Sequence, residues 1–223
     1  TLVSRNPDIQ KQCAEGCDES IIYVAYKSIV TDISAHIPDG SVSVEVYADD
    51  TTSLDTMFTQ SKEMYSWIPN AHIKFPTTKV GLAAAERAIA EGMRVNMTLC
   101  FSQAQAAAVH AATKGATSEG QVFVSPFIGR LDDIGLQGVD LIKNIVDMYA
   151  KEKSHVSVLS ASIRTLDHML ASLSVGADIV TVPGKVLKEW VAAGMPVPDS
   201  SYTYTTDLEP IAYEDITVSY THL

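Results

Sequence analysis

The chain has 223 residues, a formal charge of −11 and 46% hydrophobic residues. That length suits one α/β domain with a sizeable core, the acidic balance argues against nucleic acid as a partner, and no apolar run approaches the roughly 18 residues of a membrane span. There is no signal-peptide pattern, and three cysteines give no disulfide framework, so the expectation is a soluble, cytoplasmic protein without a membrane role.

Taken in order, Thr1–Pro7 is a loop start, and Asp8–Ala35 has the spacing of a helix, with Gly16 as a break. Cys13 and Cys17 lie four apart on it, but no second ligand pair follows, so no metal or redox centre is expected there. A turn at Pro38-Asp39-Gly40 leads into an alternating strand at 41–46. A helix over Thr51–Trp67 is capped by Asp49, Asp50 or Thr51. The strand Ile73–Phe75 is closed by Pro76 and followed by an alanine-rich helix, Lys79–Glu91, that ends at Gly92. A strand at Val95–Leu99, a helix at Ser102–Thr113 and a strand at Val122–Ser125 follow. Cys100 reads as a small core residue. Gly129–Gly138 reads as a loop and Val139–Lys151 as a helix. A strand at Val156–Ser160, a helix at Thr165–Ser174, a last strand at Ile179–Val182 and a helix at Lys185–Ala193 complete the series.

Strands that alternate with helices are the signature of a parallel α/β sheet. Six strands are predicted within residues 1–194, followed by an extended acidic tail, 195–223, that has no evident place on the fold. In a closed barrel of this class, residues at the C-terminal strand ends face the active site. Lys74, Asn96, Thr98, Ser125 and Arg130 fall at or near such ends.

A lysine in an apolar strand has two readings. It can snorkel to the surface, or desolvation can hold a neutral amine ready to attack a carbonyl. Glu45, if it points inward with Lys74, could move protons while such an adduct forms and dehydrates. Asn96 and Thr98 could orient a water or substrate hydroxyls. Arg130 and Arg164 both follow strand ends and, beside a serine hydroxyl, could clamp a phosphate; the alternative is pairing with Asp132, Asp133 or Asp167. Six histidines at scattered positions offer no metal-ligand spacing, and there is no Gly-rich phosphate loop and no nucleophile elbow.

The motifs Ser43-Val44-Glu45-Val46, Ile73-Lys74-Phe75-Pro76, the run from Val95 to Ser102, the run from Val124 to Arg130, and Ala161-Ser162-Ile163-Arg164 resemble the strand-end motifs of transaldolase, in that family's order and spacing. The resemblance covers roughly residues 1–190. It implies a (β/α)8 TIM barrel that in this chain lacks the counterparts of the family's first two strands, including the aspartate on the first and the asparagine on the second. An incomplete copy of the barrel, short at both ends, is therefore expected, with open sheet edges that invite association; a homo-oligomer is an open option. The resemblance further implies that Lys74 forms a Schiff base and that Glu45 and Thr98 handle a catalytic water. Asn96, Ser125 and Phe127 would line the substrate site, and Arg130, Ser162 and Arg164 would bind sugar phosphate. No cofactor or metal is implied. The implied reaction passes a dihydroxyacetone unit from fructose 6-phosphate or sedoheptulose 7-phosphate to an aldose phosphate, in the pentose phosphate pathway. Fructose-6-phosphate aldolases usually carry glutamine and tyrosine where Glu45 and Phe127 stand, so these two residues favour transaldolase. A catalytically inactive sugar-phosphate-binding chain is the remaining alternative.

Overall fold

The computed structural model describes Pro7, Gln10 and residues 19–199 and 201–216. The expectations for Cys13, Cys17, Gly16 and the ends of the chain lie outside the described residues. Helix α1 (Glu19–His36) leads into β1 (Val42–Glu45), α2 (Leu54–Tyr65), β2 (Ala71–Pro76), α3 (Lys79–Ala90), β3 (Val95–Cys100), α4 (Gln103–Ala112) and β4 (Val122–Pro126). There follow α5 (Ile128–Asp132), α6 (Gly138–Glu152), β5 (Val156–Ser160), α7 (Leu166–Ser174), β6 (Ile179–Val180) and α8 (Gly184–Ala192). No helix among the described residues is long and apolar enough to cross a membrane.

The six strands pair in sequence order, β1 to β6, and all five pairings are parallel. Neighbouring strands lie about 4.8 Å apart, so in a flat sheet side chains two strands apart would be separated by roughly 9.6 Å. Here Asn96 on β3 reaches Ser43 on β1 at 3.0 Å, and His72 on β2 stacks on Phe123 of β4 with ring centroids 4.2 Å apart. The sheet is therefore strongly curled, with its helices on the convex side, and forms part of a (β/α) barrel.

Side-chain alternation divides this sheet into two unlike faces. Val42, Val44, Ala71, Ile73, Phe75, Val95, Met97, Val122, Val124, Val156 and Val158 are buried in one large core with helix residues such as Leu82, Ala85, Ile142 and Ile145. At about 1.5–3 kcal/mol for each large side chain withdrawn from water, this convex layer holds the fold together. The alternate residues turn to the concave face: Ser43, Glu45, His72, Lys74, Asn96, Thr98, Phe123 and Ser125. Apolar residues there form a small separate cluster of Phe123, Leu159 and Ala161, with Phe127 and Ile179 against it.

Four helices begin on a Ser or Thr cap close behind a strand. Ser53, Thr78, Ser102 and Thr165 accept hydrogen bonds from the backbone N–H groups of Thr56, Gly81, Gln105 and His168. Such a cap is worth about 1 kcal/mol. Ser53, not Asp49, Asp50 or Thr51, is the cap of α2. Asp49 instead ties its own loop, accepting from the Thr51 N–H and from the Thr51 and Thr52 hydroxyls. Those bonds hold its carboxyl down at about 2.

Two further departures from the expected elements stand out. The stretch 129–138 is not all loop, because α5 occupies Ile128–Asp132. This short helix contains a glycine and has no side-chain cap; what fixes it is tertiary, namely the burial of Ile128 and Leu131 in the core. The last strand is two residues long, Ile179–Val180, not four.

Residues 201–216 run without helix across the outer surface and are tied down at long range. The Gln137 N–H donates to the Glu209 carbonyl, and the Glu209 N–H to that of Gly135. Asp140 and Asn144 hold the two backbone groups of Ile211, and Gln103 holds those of Glu214. Tyr202, Tyr204, Ile211 and Ile216 pack on the core.

The concave floor carries a pH signature. Burial is the main cause pushing His72 below its ordinary value of 6.5, and its hydrogen bond to the Gly120 carbonyl opposes the shift. His110 and His155 are likewise lowered, first by burial. Groups whose folded-state value is depressed bind protons more readily in the unfolded chain. Their stability contribution is full above about 6.5 and is lost as pH falls from there towards the folded-state values. The urea midpoint should therefore drop between pH 7.5 and 5, and His72→Phe should flatten that dependence. An unchanged slope in the variant would show that His72 protonates in place.

Candidate functional site

The C-terminal ends of β1–β5 bring the expected residues to one mouth. Glu45 and Lys74 are register partners on adjacent strands, and Lys74 Nζ lies 3.2 Å from Glu45 Oε2. The lysine side chain is 22% exposed and the glutamate 49%, so the amine stands at the boundary between the interior and solvent. The Glu45 backbone N–H donates to the Tyr26 hydroxyl at 2.7 Å, which anchors the end of β1 to α1. The phenol of Tyr26 is raised, chiefly by burial.

Alternate strands of a barrel fill alternate layers of its interior. His72 and Phe123, from β2 and β4, form one layer. Ser43 and Asn96, from β1 and β3, form the next: Asn96 Nδ2 donates to Ser43 Oγ at 3.0 Å. The Ser125 hydroxyl donates to Asn96 Oδ1 at 2.6 Å. Lys74 is the register partner of Asn96. Following the same alternation, Glu45 and Thr98 lie one layer further towards the mouth. Thr98 is fully buried, and its Oγ1 makes no hydrogen bond to a described residue. Its carbonyl is fixed by the N–H and hydroxyl of Thr77, both at 2.8 Å.

Two of the four non-glycine residues with positive φ among the described residues lie at this mouth. Leu99 has φ 58° and Ser162 φ 63°, in the left-handed region that costs non-glycine residues about 1 kcal/mol or more. Leu99 lies where the β3–β4 register shifts, between Met97 and Cys100.

The remaining expected residues line the rim beyond β4 and β5. Phe127 precedes α5 and meets Phe101 edge to face at 5.9 Å. Arg130, on α5, is exposed, and its side chain makes no hydrogen bond or ion pair to a described residue. Arg164 is engaged: its Nη2 is 2.6 Å from Asp133 Oδ2, one of the pairings open from the sequence. Gly129 lets the 162–164 segment lie against α5, since a Cβ there would come within 2.3 Å of the Ser162 carbonyl oxygen and 2.7 Å of Arg164 Nε. This close approach sets Ser162 and Arg164 beside the helix that bears Arg130. Asp132, on the same helix, accepts from the Gly138 N–H and pairs with His168 at 2.7 Å.

Two residues at this mouth were given no role by the sequence reading: Ser43 and Tyr26. The signal for Ser43 was parity, since it lies two residues before Glu45 and so on the same face. Tyr26 acts through a tertiary contact that carries no local signature. Cys100 is fully buried, and burial pushes its thiol up to about 12, so it is no nucleophile.

Comparison with known proteins bears on the same region. Residues 2–219 match the family model for "Transaldolase/Fructose-6-phosphate aldolase". The chain is 43% identical over 164 residues to a "Probable transaldolase" of Dehalococcoides mccartyi, which covers 74% of this chain and 71% of that protein. It is 37% identical over 187 residues to a "Probable transaldolase" of Roseiflexus sp., covering 84% and 77%. A "Probable transaldolase" of Ruegeria sp. is 42% identical over 162 residues, covering 73% and 70%. With these matches spanning the strands that carry the site, the chain belongs to the transaldolase/fructose-6-phosphate aldolase family.

Proposed function

We propose that the chain is a Schiff-base transaldolase acting on phosphorylated ketoses, fructose 6-phosphate or sedoheptulose 7-phosphate, in the pentose phosphate pathway. The observation that carries this reading is the half-buried Lys74 amine held 3.2 Å from the Glu45 carboxylate on a concave polar face. Glu45 is placed to take the ammonium proton, and the neutral amine then attacks C2 of the ketose. Glu45, with a water held by the Thr98 hydroxyl, returns a proton as the carbinolamine loses its hydroxyl. The resulting iminium draws the electron pair of the C3–C4 bond as it breaks, while the C4 hydroxyl passes its proton through that water to the Glu45 carboxylate, which releases an aldose phosphate; the same proton returns to the acceptor's carbonyl oxygen in the addition that follows. The bound enamine then adds to the carbonyl carbon of an incoming aldose phosphate, and hydrolysis frees the product. Asn96 and Ser125 hold substrate hydroxyls and Phe127 covers the sugar. Arg130, Ser162 and Arg164 take the phosphate, for which Arg130 is uncommitted and Arg164 must share with Asp133.

The second reading, fructose-6-phosphate aldolase, differs in the fate of the enamine. Glu45 and Phe127, with relatives named as probable transaldolases, support transfer. The test is acceptor dependence. With fructose 6-phosphate alone, little glyceraldehyde 3-phosphate should accumulate; adding erythrose 4-phosphate should yield sedoheptulose 7-phosphate. Free dihydroxyacetone formed without acceptor would favour the aldolase. Binding of fructose 6-phosphate without any product would leave the inactive sugar-phosphate binder.

A further inference from the structure

The amide of Asn96 is held at both ends. Its Oδ1 accepts from Ser125 on the neighbouring strand at 2.6 Å, and its Nδ2 donates to Ser43 at 3.0 Å, across β2. Asn96 itself is 2% exposed. A primary amide has two N–H donors, so the second remains for a substrate hydroxyl. Ser125 alone would anchor one end and leave the amide plane free to rotate about χ2, a broad torsion with no strong intrinsic preference. We infer that Ser43 is a positioning residue of the site: it clamps the Asn96 amide so that its remaining N–H is aimed at the substrate beside Lys74.

The geometry favours this role over a purely structural one. Ser43 is half-buried on the concave face, whereas the strand is held in the core by its neighbours Val42 and Val44 on the other side. Loss of the hydroxyl removes nothing from that packing. It would cost a single hydrogen bond on a group that must be pre-aimed, and misdirection of that group falls on substrate binding.

The inference rests on the Schiff-base reading, and its test separates the two. Borohydride trapping at Lys74 is titrated with fructose 6-phosphate for the parent, Ser43→Ala, Ser43→Thr, Asn96→Ala and the Ser43→Ala/Asn96→Ala pair, with thermal midpoints recorded alongside. Ser43→Ala should raise the half-saturating donor concentration about tenfold, the scale of one lost hydrogen bond. The trapped fraction at saturation and the midpoint should be unchanged. Ser43→Thr, which keeps the hydroxyl, should return to within about twofold of the parent. In the Asn96→Ala background the Ser43→Ala shift should vanish, because residues acting through one another are not additive. Half-saturation unmoved in Ser43→Ala, a shift that persists without Asn96, or a shift accompanied by an equal loss of thermal stability would each overturn the positioning role. A folded parent that never traps would overturn the Schiff-base reading, and this inference with it.

Discussion

Lys74→Ala is expected to abolish borohydride trapping of fructose 6-phosphate and to lower turnover by on the order of 10⁴-fold or more, the scale seen when a covalent nucleophile is removed. Among the described residues Lys74 is the one lysine within a strand, so no second amine stands on the concave face to take its place. The folding cost should be small. The Lys74–Glu45 pair has a glutamate 49% exposed, and ion pairs open to water contribute about 0–1 kcal/mol. Loss of trapping with an unchanged thermal midpoint therefore marks chemistry, not collapse. Peptide mapping of the reduced parent should place the adduct on the peptide containing Lys74. Trapping retained in the variant, or an adduct on another lysine, would refute the assignment.

Gly129→Ala should produce the largest stability loss at the site. The added methyl would lie 2.3 Å from the Ser162 carbonyl oxygen, 2.7 Å from Arg164 Nε and 2.8 Å from its Cγ. The arginine side chain can swing away; the Ser162 backbone cannot, because Ala161 beside it bridges to Phe127 and Ile128 donates to the Ala161 carbonyl at 3.1 Å. Overpacking against backbone costs about 3 kcal/mol, or roughly 6–12 °C in Tm for a chain of this size. Gly120→Ala is the control. Gly120 has φ +70° but nothing within 4 Å of the added atom, so only backbone conformation is penalised, at about 1 kcal/mol. Equal losses in the two variants would mean that conformation, not the close approach of the 162–164 segment to α5, sets the requirement for glycine. Because that approach brings Ser162 and Arg164 to the rim, Gly129→Ala should also weaken binding of phosphorylated donors more than of their unphosphorylated counterparts.

The reasons for what could and could not be read from the sequence differ by residue. The strands around Lys74, Asn96 and Ser125 were legible because each is a short apolar run that ends in polar residues, with helices capped by Thr78 and Ser102 close behind. Lys74 was legible because an amine in such a run is chemically out of place. Helix α5 was not, because five residues carry too little periodicity and its stability comes from the burial of Ile128 and Leu131. The cap of α2 was misplaced because Asp49 has the right chemistry for a cap but spends it on Thr51 and Thr52. The path of residues 201–216 could not be read, since its partners, Gly135, Gln137, Asp140, Asn144 and Gln103, lie about 70 to 110 positions away in sequence. The split between Arg130, uncommitted, and Arg164, paired with Asp133, is likewise set by three-dimensional proximity.

The two-faced sheet has a consequence for how such a chain can change over time. In β2, Ala71, Ile73 and Phe75 belong to the convex core while His72 and Lys74 face inward. Substitution at an inward position can retune a reaction while the outer residues keep the fold, so new specificities are open to single-residue steps. Insertion or deletion of one residue within a strand is another matter. It exchanges the two sets, driving the lysine into the apolar layer and a phenylalanine into the mouth. Length variation in descendants of this chain should therefore collect in the connections, and the strands should drift only by replacement.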